Sequence, residues 1–161
     1  MESVPNPYQS PAASLTEHLK PEDVEGQFRP SYKLYSVKSI ALATFLGSPV
    51  AGGLIMAINF KRLGRFTAAI HAVVWTAVFT AMILMSDFFL PDEVQVPNIA
   101  YVVVQVIAMY YLAKSLQGPA VETHQGRSGS LASAWAAAGI GIAVGAIVVG
   151  VIVGVVILLP E

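Results

Sequence analysis

Residues 36–62 read SVKSIALATFLGSPVAGGLIMAINFKR, and Gly47-Ser48-Pro49 in the middle of that apolar run decides the fold. The order of the three residues is specific. Glycine ends a helix in the left-handed conformation, serine caps the next one, and proline suits its first turn. The run therefore predicts two helices, over about 37–46 and 49–63, and not one. At ~1.5 Å per residue they measure ~15 and ~22 Å, and neither alone crosses a hydrocarbon layer ~30 Å thick. Gly47 is expected at positive φ. The Ser48 hydroxyl is expected to accept from the N–H of Val50 or Ala51. Gly52 and Gly53 allow another backbone to come close to the second piece.

Outward from this run the chain stays apolar. Of its 161 residues 55% are hydrophobic and 12% charged, with a mean hydropathy of +0.66; a soluble domain carries roughly 25% charge. Uncharged stretches cover 39–60, 66–86, 94–113 and 128–160, each about the ~20 residues a helical span needs. The fold class expected is all-α, a polytopic integral membrane bundle with four apolar segments: 36–62 (broken at Gly47-Ser48-Pro49), 66–86, 98–116 and 131–159. Residues 36–161 form one transmembrane domain. Residues 1–35 hold five of the ten prolines and are expected to be a mostly disordered tail, in which Ser14 could cap a short turn over Leu15–Leu19. Tyr32 and Tyr35 are placed as interfacial aromatics, and residues 117–130 as a polar linker. Met1 precedes an acidic, proline-rich stretch where a cleaved signal would be basic, so no such signal is expected.

Charge placement bears on topology. Lys and Arg gather on the cytoplasmic side of membranes. Four full spans would put Lys61, Arg62, Arg65, Lys114 and Arg127 inside but Lys20, Arg29, Lys33 and Lys38 outside. If the broken run instead enters and leaves on one face, all nine lie inside, and Asp87, Asp92 and Glu93 lie outside with the C-terminus. A re-entrant or interfacial hairpin followed by three spans is the favoured arrangement; four spans with a kinked first helix is the alternative. Freed backbone at the break then requires the hairpin to be packed inside the bundle.

Chemistry is sparse. With no cysteine, disulfides, Cys-ligated metal and thiol catalysis are excluded. A net charge of −1 and the lack of any known nucleic-acid module argue against nucleic acid as a partner. No Asp, Glu, Lys or Arg lies inside an apolar run, whereas proton relays and ion-coupled transporters generally need one. No H-E-x-x-H or G-x-S-x-G is present. Neither an enzyme nor a cofactor or metal is expected.

Four polar residues form the candidate site: Ser48, Asn59, His71 and Gln105. His71, with Thr67 and Trp75 a turn to either side, is either a proton-sensitive group facing the hairpin or a near-interface histidine packed on Trp75. Packing is the preferred role. Gln105 shares a stripe with Tyr101, Met109 and Leu112; it and Asn59 either line a pathway or bond across helices, the latter preferred. Small residues Ser133, Ala137, Gly141 and Gly145 recur every fourth position, followed by Gly150 and Gly154. They form a helix-packing surface, within the chain or in a homodimer. His124 is read as a solvated loop histidine, and Asn6-Pro7-Tyr8-Gln9-Ser10-Pro11 as unstructured linker, with a docking peptide as the other reading.

The stretch Ala43-Thr44-Phe45-Leu46-Gly47-Ser48-Pro49-Val50-Ala51-Gly52-Gly53, followed by Asn59-Phe60-Lys61-Arg62-Leu63-Gly64, resembles a family of small uncharacterised bacterial inner-membrane proteins. Leu116-Gln117-Gly118, His124, Ser133-Ala134-Trp135 and Gly139-Ile140-Gly141 fit the same pattern, so the resemblance covers about residues 34–145. Ala136 departs from it, standing where the family often has a basic residue. The resemblance implies a bacterial cytoplasmic membrane and no activity. Two functions follow as expectations. One is a non-enzymatic scaffold or accessory subunit that acts through helix packing, with the bilayer and a second copy or membrane protein as partners. The other is a small transporter or channel component with its site at the broken helix.

Overall fold

The computed structural model describes residues 30–86 and 97–158, and these are all-helical apart from connecting turns and one isolated parallel bridge between Leu34 and Leu131. The helices are α1 (Val37–Gly47), α2 (Pro49–Arg62), α3 (Phe66–Leu84), α4 (Asn98–Gly126) and α5 (Ala134–Leu158). Three are long and apolar enough to cross a membrane: α3, α4 and the Ala134–Val155 part of α5. The first apolar segment is not a fourth long helix. It divides at Ser48 into two short ones, as the Gly-Ser-Pro punctuation requires.

The short pair is the hub. α1 packs on α2, α4 and α5, while α2 packs on α3, α4 and α5; no two of the long helices pack on one another along their length. Small residues permit these approaches. A Cβ on Gly52 would lie 2.2 Å from Thr44 Oγ1 across the α1–α2 contact, and one on Gly53 would lie 1.9 Å from Thr76 Oγ1 across α2–α3. On α5, a Cβ on Gly141 would meet the Ala43 carbonyl at 2.9 Å, and one on Gly145 the Gly47 Cα at 3.1 Å. Ala137 is fully buried on the same stripe. Small residues thus let α5 lie against α1 of the same chain. Gly150 and Gly154 meet nothing within 4 Å.

Two helix ends are stopped by one device. Beyond α2, Gly64 has φ 73°, Arg65 N–H donates to Phe60 O at 2.8 Å and Gly64 N–H to Lys61 O at 3.1 Å. This is the Schellman pattern, which satisfies the last carbonyls. Beyond α4 the pattern recurs with Ser128 at φ 57°, Gly129 N–H bonded to His124 O and Ser128 N–H to Gln125 O, both at 2.9 Å. The glycine sits one place past the left-handed residue because a Cβ at 129 would lie 2.5 Å from His124.

Two sequence expectations are corrected. Residues 117–130 are not a linker: α4 continues to Gly126 through Pro119. Gln117, Gly118, Val121 and His124 are all buried on that extension, and their packing overrides the local cost of proline. The boundary of the tail also moves. Residues 1–29, with the cap at Ser14 and the Asn6–Pro11 motif, lie outside the described residues, but Leu34 is fully buried and Tyr35 nearly so. Tyr35 is therefore a core residue lying under the Arg62 guanidinium, 5.7 Å from its ring centre, and not an aromatic facing lipid.

Candidate functional site

The most organised polar cluster lies at the open end of the α1–α2 hairpin. Asn59, in the last turn of α2, and Gln117 of α4 are both fully buried. Tyr35 N–H donates to Asn59 Oδ1 at 2.8 Å. Asn59 Nδ2 donates to Tyr35 O and to Gln117 Oε1, each at 2.9 Å, and Gln117 Nε2 donates to Met56 O at 2.8 Å. One side chain thus binds both backbone groups of Tyr35, as a neighbouring strand would, and a second side chain locks it to α4. Buried amides stay only where they are bonded in this way.

This clasp joins residues 24 apart in sequence, so the chain enters α1 and leaves α2 at the same end. Neighbouring contacts repeat the closure. Arg62 Nη1 donates to Lys33 O. Leu34 N–H donates to Ser130 O at 3.4 Å, and Ala132 N–H to Leu34 O at 2.8 Å, tying the approach to α1 beside the approach to α5. Tyr32 stacks on His124 at 5.0 Å between ring centres.

His124 differs from its sequence reading as a solvated loop residue. It is buried within α4, with Nε2 3.1 Å from Ser130 O. A carbonyl accepts, so Nε2 carries the proton and Nδ1 is left as a buried acceptor without a partner. Its signal in sequence was the Gly129 five places on, which the ring contact requires.

The opposite end of the hairpin is built differently. The positive φ lies at Ser48 (φ 151°, ψ 173°) and not at Gly47. This region is almost exclusive to glycine and costs about 1–3 kcal/mol. The Ser48 side chain makes no cap hydrogen bond; its Oγ is buried without a partner, and it is the Ser48 carbonyl that accepts from Ala51 N–H at 3.0 Å. Gly47 is required for a different reason than its conformation: a Cβ there would lie 2.2 Å from Gly141 O.

The remaining candidates do not gather at the break. His71 is exposed on α3 and lines a cavity of about 400 Å³ with Arg65, Trp75, Thr76 and Ser115. Neither Ser48 nor Gln105 lines it, and Gln105 is half-buried on α4. Ser133 serves the start of α5: its Oγ accepts from Trp135 N–H at 3.2 Å and its carbonyl from Ala137 N–H at 3.3 Å. Gln117 is the residue sequence reasoning missed, because Gln-Gly-Pro reads as the start of a loop. Among the described residues no group of three His, Cys, Asp or Glu could hold a metal. No family model, curated protein or solved structure matches the chain.

Proposed function

We propose that this is a bacterial inner-membrane protein in which three spans are organised by a re-entrant helical hairpin, and that it acts without catalysis as a scaffold or accessory subunit. The observation that carries the reading is the clasp. Asn59 and Gln117 bond their polar atoms to Tyr35, Met56 and each other, so these buried amides serve the packing of the helices. Rigid internal bonding suits a part that holds neighbours in place. The outward faces are apolar, with Trp75 68% and Trp135 86% exposed, and suit lipid, a second copy or a membrane partner.

A second reading, a small transporter or channel component with its site at the break, draws support from Ser48 alone. Its strained backbone and unpaired hydroxyl are features that cluster at functional positions, and interrupted helices often mark transport sites. Reconstitution in liposomes separates the two. The scaffold reading expects membranes as tight to ions and small solutes as protein-free ones. Flux that Ser48→Ala lowers would replace it with the second reading.

A further inference from the structure

The described residues carry Lys33, Lys38, Lys61, Arg62, Arg65, Lys114 and Arg127 but a single carboxylate, Glu122. The contacts of Lys33 with Arg62, and of Tyr32 with His124, place this charge at the open end of the hairpin. One side chain of the set, Arg65, stands at the mouth of the cavity of about 400 Å³ between α3 and α4. The floor of that cavity is Met56 and Phe60 of α2, both buried. It exists because α3 and α4 do not pack on one another and because α3 presents Ala68 and Ala72 to it. From Arg65 the groove runs past His71 to Trp75 and Thr76, about 15 Å along α3 at helical rise, with Leu112 and Leu116 of α4 opposite.

We propose that this groove seats an anionic phospholipid, its headgroup phosphate on Arg65 with His71 and Ser115 beside it, and one acyl chain along the alanines of α3. The proposal rests on the membrane placement given above. The shape favours a chain over a helix. A helix ~10–12 Å across enters a space of about 400 Å³ only by single side chains, whereas an extended hydrocarbon tail lies along it. The charge favours an anionic headgroup. Arg65 is always cationic and matches phosphate with two parallel donors, no acid among the described residues lines the groove, and basic pockets between spans are where anionic headgroups bind. His71 and Ser115 line the same cavity and add donors that a phosphate or ester oxygen accepts from.

The test is native mass spectrometry of the full chain, delipidated in detergent and offered phosphatidylglycerol and phosphatidylcholine of the same acyl composition. Phosphatidylglycerol should be retained in preference. Arg65→Gln should lower that retention about fivefold, the effect of one basic contact worth ~1 kcal/mol, while Lys61→Gln, outside the groove, removes the same charge with little effect. Ala72→Phe should reduce binding of both lipids by filling the groove; Leu112→Phe, on the facing wall, does the same should the first variant fold poorly. Equal losses with Arg65→Gln and Lys61→Gln would reduce the site to diffuse surface charge and overturn the proposal. So would undiminished binding in a folded Ala72→Phe or Leu112→Phe, or a dimer that excludes lipid from the groove. Detergent dependence of solubility, read on the same samples, tests the membrane placement separately.

Discussion

The two ends of the hairpin are held by opposite means. At the open end, Asn59 and Gln117 satisfy every hydrogen-bonding group they bury and fix α1, α2 and α4 in one register. At the tip, no side-chain hydrogen bond is made: Ser48 is strained and unpaired, and position is set by backbone contact between Gly47 and Gly141. Close packing tolerates an unfavourable backbone locally because helices on both sides are fixed elsewhere. The clasp supplies uniqueness, and the glycine contacts supply proximity.

The sharpest way to break this contrast is Asn59→Leu. It keeps the branched shape and the number of heavy atoms but strands Tyr35 N–H, Tyr35 O and Gln117 Oε1 in the buried interior. Stranded buried groups cost ~1–3 kcal/mol each, so the three predict a loss of at least about 3 kcal/mol in thermal or denaturant unfolding in detergent, exceeding the ~0.6 kcal/mol of an average interhelical bond. A change below that average would mean that the clasp does not organise the hairpin. Next in size is Gly47→Ala, whose methyl would fall 2.2 Å from Gly141 O. Overpacking of this kind costs about 1–3 kcal/mol, whereas Gly150→Leu, with open space around it, should stay within ~0.5 kcal/mol. Equal effects at the two sites would remove the packing account of the tip. The smallest effect is a gain. Ser48→Gly relieves a conformation costing ~1–3 kcal/mol, less the ~0.5–1 kcal/mol by which glycine favours the unfolded chain. A net stabilisation of about 1 kcal/mol is expected, and a destabilised variant would show that the hydroxyl has a partner.

Local chemistry explains what sequence reading could locate. Gly47-Ser48-Pro49 marked the break to the residue, and helices over 37–46 and 49–63 differ from Val37–Gly47 and Pro49–Arg62 by one residue at single ends. The reason for Gly47 was out of reach, because its constraint is a carbonyl 94 positions away in sequence, at Gly141. The same limit explains Gln117-Gly118-Pro119. Read locally these residues end a helix, but Gln117 meets Asn59 and Met56 of α2, and those contacts carry α4 onward. Asn59 stood out as a polar residue in an apolar run, yet its partner was hidden in the presumed linker. Ser48 reads as a cap by its identity, while the fold places its side chain where it makes no cap hydrogen bond.

A hairpin that enters and leaves on one face of the membrane puts the residues before α1 on the same side as the end of α4, and sidedness labelling measures this. Because the chain has no cysteine, single variants Ser31→Cys and Gln125→Cys report without background. The stack of Tyr32 on His124 puts both positions at one end of the bundle. In intact bacteria both should be shielded from a membrane-impermeant maleimide and react only after the inner membrane is opened. Val94→Cys, in the acidic segment outside the described residues, should react in intact cells. Labelling of Ser31→Cys in intact cells with Gln125→Cys still shielded would put the two on opposite faces, contradict the hairpin and restore four full spans.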